Sequence, residues 1–176
     1  MKDRWVYSAL VSIALLAAWL GVAVFVAAVL APAAFAVLPT RALAGALVAR
    51  ALPILFISGI VTGSLVVALS AGRSRLASLG GLLLLSGNAA ASMVEQRLHA
   101  MLVAMGAPID AIAGTDPRRI AFGRLHGLSV LVLGVGVVGA SIALVVLMRR
   151  IRALQPTVTL SEHSDALSVR RASPHS

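Results

Sequence analysis

The sequence predicts an all-α fold: an integral membrane four-helix bundle with a short surface helix between its first and second spans. Of the 176 residues, 60% are hydrophobic and 12% are charged, and the mean hydropathy is +1.00. A hydrocarbon core about 30 Å thick needs roughly 20 apolar residues in a helix. Four uncharged stretches reach about that length: residues 5–40, 51–72, 76–94 and 125–148. We therefore expect one four-span domain over residues 1–153.

The first span begins near Trp5, whose ring suits the membrane interface. Pro32 divides the long first stretch, because a proline breaks or kinks a helix at the preceding residue. The span should cover about residues 5–31, and residues 32–39 either continue it after a kink or lie at the interface. The basic start imitates a signal peptide, but the apolar run far exceeds an h-region of roughly 7–15 residues, so we expect a retained span.

Residues 42–49 are flanked by arginines and predict the short surface helix. The second span begins near Pro53, because proline is tolerated in a first helical turn, and Gly72 ends it. The link from Gly72 to the next span is short. Spans two and three are therefore predicted to form an antiparallel hairpin.

The third span starts near residue 76, and helix-forming residues continue beyond its apolar part to Met105. Extra turns should therefore project beyond the bilayer. Residues 108–120 predict a polar loop, and the fourth span covers about residues 120–148. Residues 154–176 have little periodicity, which predicts a disordered cytoplasmic tail.

Basic residues gather at the ends of the spans, where they meet anionic headgroups and set orientation. The net charge of +9 therefore indicates a lipid bilayer as partner and not nucleic acid. Nine Lys and Arg residues lie on one predicted side and six on the other, so the larger set should be cytoplasmic. The larger set is Lys2, Arg4, Arg73, Arg75, Arg149, Arg150, Arg152, Arg170 and Arg171, and the smaller is Arg41, Arg50, Arg97, Arg118, Arg119 and Arg124. This pattern predicts a bacterial inner-membrane protein with both termini inside.

Small residues should hold the spans together, because lipid tails are as apolar as leucine and helices associate in lipid by close packing. Glycine weakens a helix by roughly 1 kcal/mol relative to alanine, so its recurrence indicates tight crossings. The candidate packing residues are Gly59, Gly63, Gly87, Gly123 and Gly127. Packing within one monomer and packing in a homo-oligomer both remain open.

Polar side chains recur along one face of the third span, at spacings of four, three and four residues. A buried amide in lipid needs a partner on another helix, so this face should point into the bundle. Further polar residues open the fourth span on the same side of the membrane. The predicted polar cluster, at the outer ends of spans three and four, is Asn88, Ser92, Glu95, Arg97, His99, Arg124, His126 and Ser129.

Three interpretations of this cluster remain open. The first is a structural network that fixes helix register. The second is a haem or copper site using His99 and His126, with Glu95 as ligand or support, since imidazole suits these metals. The third is a proton or ion pathway. Cysteine is absent, which excludes thiolate ligands, and no catalytic constellation is visible. We expect a non-enzymatic protein without a cofactor, with metal or haem binding as the alternative.

The order of several short motifs resembles the four-helix membrane family called domain of unknown function 4149, which includes homologues of transmembrane protein 205. The matching residues are Trp19-Leu20-Gly21, Ala31-Pro32, Phe35, Leu38, Ala44-Gly45, Asn88, Arg97, Phe122 to His126 and Ser129. The family often has an asparagine shortly after this serine, and residues 130–133 contain none. The resemblance implies a four-span protein without an assigned activity. Eukaryotic relatives are linked with platinum-drug resistance, and some similar four-helix families handle copper or haem.

Overall fold

The computed structural model describes residues 2–154, and within this part the chain is helical without a strand. Its elements are α1 (Lys2–Phe25), a π-helical turn (Val26–Leu30), α2 (Ala31–Val37), α3 (Arg41–Ser70), α4 (Arg75–Met105), a 3-10 turn (Ile109–Ala111) and α5 (Pro117–Arg152). Four long helices are apolar enough to cross a membrane, the first of them running without a break from α1 into α2. The predicted four-span membrane bundle is confirmed. The predicted tail lies outside the described residues, apart from Leu154.

The first crossing helix continues through Pro32 without breaking. The N–H of Ala31 bonds to the carbonyl of Val26, five residues earlier, which widens the helix into a π turn just before the proline. Proline has no N–H and its ring clashes with the carbonyl four residues before it, so a widened turn relieves both problems. The helix then continues to Val37. Of the two predicted courses for residues 32–39, continuation of the helix is the one observed as far as Val37.

The predicted separate surface helix over residues 42–49 is corrected by the structure. These residues form the first turns of α3, which runs unbroken through Pro53 to Ser70. The Thr40 hydroxyl caps the start by accepting a hydrogen bond from the Leu43 N–H (3.2 Å). The alanine-rich segment favours helix strongly, and the fully buried Ala44 anchors it to the bundle. Both effects outweigh the one hydrogen bond that Pro53 removes.

The predicted antiparallel hairpin joins α3 to α4. Gly72 adopts a left-handed backbone conformation (φ +70°), which glycine reaches without steric cost, and the Ser74 hydroxyl caps α4 by accepting from the Ala77 N–H (3.3 Å). At this end of the bundle, the Arg150 guanidinium donates to the Arg73 carbonyl (2.6 Å). The end of α5 is thereby tied to the hairpin.

Helix α4 packs most extensively, with α5 on one side and α3 on the other, while α1 packs on α3 and α5. The four helices therefore form a ring around a core that includes Leu16, Trp19, Leu55, Leu84 and Leu147. The Trp19 indole N–H donates to the Leu55 carbonyl (3.0 Å), which joins α1 to α3.

Glycines let α4 approach its neighbours backbone to backbone. A Cβ atom added to Gly63 would lie 2.7 Å from the Leu85 nitrogen, and one added to Gly87 would lie 2.7 Å from the Gly136 nitrogen. A Cβ added to Gly80 would lie 2.5 Å from the Gly139 carbonyl oxygen.

The structure places two of the candidate packing glycines elsewhere. A Cβ added to Gly123 or Gly127 would meet nothing within 4 Å, so neither touches another helix of the described chain. Both lie near the start of α5, whereas the glycines of α5 that meet α4, Gly136 and Gly139, lie further along it.

Candidate functional site

Asn88 is a fully buried polar residue on α4, within the uncharged stretch of residues 76–94. Its side-chain N–H donates to the Leu84 carbonyl of the same helix (2.8 Å). Its Oδ1 has no hydrogen-bond partner among the described residues. The amide therefore makes one of its four possible hydrogen bonds, within its own helix, and the predicted partner on another helix is not found among the described residues.

Glycines on two neighbouring helices make room for this amide. A Cβ added to Gly59 of α3 would lie 2.5 Å from Cγ and Oδ1 of Asn88, and one added to Gly136 of α5 would lie 3.1 Å from Nδ2. A planar amide fits between the helices because both neighbours lack a side chain. We call Gly59, Asn88 and Gly136 the Asn88 slot.

Two hydroxyl-bearing residues lie near the outer side of the slot. Ser129 of α5 is buried, and Ser92, one turn beyond Asn88 on α4, is half-buried. Ser129 is about two turns of α5 from Gly136, on the side towards its start. The buried part of the predicted cluster therefore consists of small polar groups without charge.

The charged part of the cluster begins at Glu95, a half-buried residue two turns beyond Asn88. Its carboxylate lies close enough to His126 of α5 and His99 of α4 for electrostatic interaction with both. The ion pair that the described residues contain joins Arg118 to Asp116 and does not involve Glu95. Glu95 thus interacts electrostatically with His99 and His126 but forms no direct ion pair with either.

The remaining members of the predicted cluster are exposed. Arg97, His99, Arg124 and His126 have exposed side chains, and the His126 ring stacks on Phe122 with ring centroids 6.5 Å apart and an angle of 2° between the planes. The structure therefore divides the cluster into a buried polar centre and an exposed outer end. The direction in which Arg97 and Arg124 face depends on the rotation of α4 and α5, which residue spacing alone does not reveal.

The donor set does not fit a metal ion held by three or more protein ligands. Within residues 2–154, no group of three or more His, Cys, Asp or Glu side chains is close enough together to hold one. His99 and His126 both have exposed side chains in the described chain.

The loop leading into α5 is fixed by local hydrogen bonds. Asp116 caps the helix by accepting from the Arg118 N–H (2.8 Å), and its carboxylate also binds the Arg118 guanidinium (2.9 Å). The hydrogen bond from the Arg118 side chain, followed by the one from its backbone, lowers the pKa of the Asp116 carboxyl. Arg119 donates to the Ile112 carbonyl (2.6 Å). The predicted polar loop is therefore anchored to the first turn of α5.

Gly136 is the member of the slot that the sequence left unassigned. It lies in a run of glycines, Gly134, Gly136 and Gly139, that marks a crossing somewhere in the fourth span. Its pairing with Asn88 depends on the rotation and depth of α5 relative to α4. Neither can be read from a glycine spacing alone.

The helices and their buried polar centre define a multi-pass membrane protein of the four-span class. Residues 14–158 match a family model described as Domain of unknown function (DUF4149), and the chain belongs to this family. The predicted resemblance is confirmed. No curated protein and no solved structure matches the chain.

Proposed function

We propose that this chain is a non-enzymatic scaffold protein of the membrane, in which the polar face of α4 fixes the positions of α3 and α5. The Asn88 slot is the observation that carries the proposal. An amide enclosed by glycine backbone on two sides permits one register of the three helices, because sliding either neighbour by one residue would bring a side chain against it. Buried polar groups have this specifying role in other helical assemblies.

Transport is the competing role, and the chemistry of the slot disfavours it. A proton or ion pathway needs ionisable groups deep in the membrane. Asn88 is uncharged, and Glu95 lies about 10 Å further along the helix, at 1.5 Å per residue. Two surface grooves of the described chain lie elsewhere, one along the start of α5 and one around Leu83 and Ile142.

We further propose that the protein resides in a bacterial inner membrane with both termini in the cytoplasm. Four crossings bring the two ends of the chain to the same side of the membrane. The exposed residues Arg4, Arg73, Arg75, Arg149 and Arg152 lie at that end. Counted along the whole sequence, nine Lys and Arg residues fall on that side and six on the other, and this excess supports the orientation.

The scaffold role predicts that Asn88→Leu lowers the melting temperature of the purified protein in detergent. A branched side chain overfills a slot shaped for a planar amide, which should cost about 1–3 kcal/mol. Ser86→Leu, at an exposed position of the same helix, is the matched control and should leave the melting temperature unchanged.

The same variants distinguish transport from a scaffold role when they are reconstituted in liposomes that hold a pH-sensitive or K⁺-sensitive dye. The scaffold role predicts that the parent and Asn88→Leu proteins leak protons and K⁺ equally slowly. Flux through the parent that Asn88→Leu abolishes, with an unchanged melting temperature, would refute it. Visible absorption or bound copper that a His99→Ala, His126→Ala variant loses would instead support metal or haem binding.

A further inference from the structure

A shallow groove follows the outward face at the start of α5. It is lined by Pro117, Ile120, Ala121, Arg124, Leu125 and Leu128 and has a volume of about 470 Å³. These residues repeat at helical spacing along one side of α5. The lining is apolar except for a single arginine, and the volume lies in the range of small-molecule sites.

The first crossing helix covers the end of the bundle near the start of α5 less than it covers the other end. Before the π turn, α1 packs on both α3 and α5, whereas α2, after the turn, packs mainly on α3. The face of α5 near its start is correspondingly open, with Ile120 and Leu128 each 44% exposed. The groove is thus a lateral opening towards lipid.

Arg124 lies at the boundary between the apolar and polar parts of this helix. It immediately precedes the uncharged residues 125–148, which at 1.5 Å per residue extend about 36 Å and so cover the hydrocarbon core. Its side chain is exposed, and no hydrogen bond or ion pair joins its guanidinium to another residue of the described chain. The Arg124 guanidinium, at the edge of the hydrocarbon core, therefore lies at the level of the lipid headgroups.

We propose that this groove binds one anionic phospholipid, with the headgroup phosphate on Arg124 and an acyl chain along Leu125 and Leu128. Arginine is suited to phosphate because its planar guanidinium offers paired donors. The apolar wall extends from the arginine into the span, which is the direction an acyl chain takes from a headgroup at the surface. The inference rests on the membrane location and does not depend on the scaffold role.

Native mass spectrometry of the protein in detergent tests the site. With equal amounts of phosphatidylglycerol and phosphatidylcholine added, we expect the parent protein to retain the anionic lipid preferentially. A basic residue at the membrane surface contributes about 1 kcal/mol to anionic lipid binding, so Arg124→Gln should lower that preference on the order of fivefold. Arg124→Lys, which keeps the charge, should lower it less. Equal retention of both lipids by the parent would overturn the proposal.

Arg50→Gln is the matched control, because Arg50 is an exposed arginine at the boundary of another span. It should leave the lipid preference unchanged, and a loss as large as that of Arg124→Gln would overturn the proposal. Ala121→Trp fills the groove from an exposed position and should reduce retention of the anionic lipid even if Arg124→Gln fails to fold. Glycerol phosphate, which has no acyl chains, should not compete; displacement of the lipid by it would identify a site for free phosphate instead.

Discussion

The helix contacts of α4 and those of α1 are built from different kinds of residues. Helix α4 meets α3 and α5 through glycines, with backbone almost touching backbone at Gly63, Gly80 and Gly87. Helix α1 meets its neighbours through large side chains such as Leu16 and Trp19. The first arrangement allows one geometry, whereas the second can repack around a change in volume. We infer that the α3–α4–α5 unit is the rigid part of the bundle and that α1 adapts to it.

Gly80→Ala should have the largest effect of the substitutions that test this difference between the α4 and α1 contacts. The added methyl group would lie 2.5 Å from the Gly139 carbonyl oxygen, and backbone cannot move aside as a side chain can. We expect a loss of about 3 kcal/mol in unfolding free energy, measured by denaturant titration in mixed micelles. Gly45→Ala is the control, because its Cβ would meet nothing; it should stabilise α3 by up to about 1 kcal/mol. Equal stability of the two variants would contradict the glycine-packed arrangement.

The Asn88 slot allows a sharper test, because the group that a Cβ on Gly59 would clash with is the Asn88 side chain, which a second substitution can remove. Gly59→Ala should cost about 2 kcal/mol, since the new methyl group occupies the space of the Asn88 amide. Adding Asn88→Ala should relieve the clash, so the double variant should be more stable than the sum of the single changes by about 1–2 kcal/mol. A double-mutant cycle on unfolding free energies measures this coupling. Additive effects would show that the two residues do not meet.

The α1 contacts should respond more weakly. Trp19→Phe removes the indole hydrogen bond to the Leu55 carbonyl but keeps an aromatic ring in place. That carbonyl also accepts from the Ser58 hydroxyl (3.0 Å), so it is not left without a partner. We expect a loss of about 1 kcal/mol or less, measured in the same titration. A loss as large as that of Gly80→Ala would remove the distinction between the two kinds of contact.

The smallest expected effect lies outside the membrane, at the Asp116 cap. Its folded-state pKa is lowered, so the stabilisation is present above the unfolded pKa of about 4 and is lost as the pH falls through the lower folded value. The melting temperature should therefore decline slightly below about pH 4. Asp116→Asn keeps a capping oxygen but does not titrate there, so its melting temperature should lack this component. If the melting temperatures of the parent and of Asp116→Asn declined identically with acid, the stabilisation could not be assigned to the Asp116 carboxylate.

The spans and the hairpin could be predicted because both depend on local sequence. Uncharged length fixes the crossings, and Gly72 marks the turn between α3 and α4. Pro53 misled the prediction of the second span because its effect depends on how well the preceding residues form helix and pack. Proline lowers helix stability at a position without deciding whether the helix breaks there.

The candidate site could be predicted only in part, because it depends on how the helices face one another. The spacing from Asn88 to His99 predicts a single helix face, along which Asn88 is buried and His99 is exposed. It does not reveal that Gly59 and Gly136 enclose the amide, since that contact requires the rotation and depth of two other helices. Gly123 and Gly127 have the spacing of a packing motif but lie where no described helix approaches them. Two glycines four residues apart therefore indicate a helix contact only where a neighbouring helix approaches them.

Helix α4 is longer than the membrane requires. Its 31 residues extend about 46 Å, roughly 16 Å more than the hydrocarbon thickness. The last turns of α4 therefore project beyond the hydrocarbon as a short stalk, and the exposed Gly114 lies in the loop that follows. A soluble protease or an antibody that approaches from that side would reach this stalk before it reached any lipid.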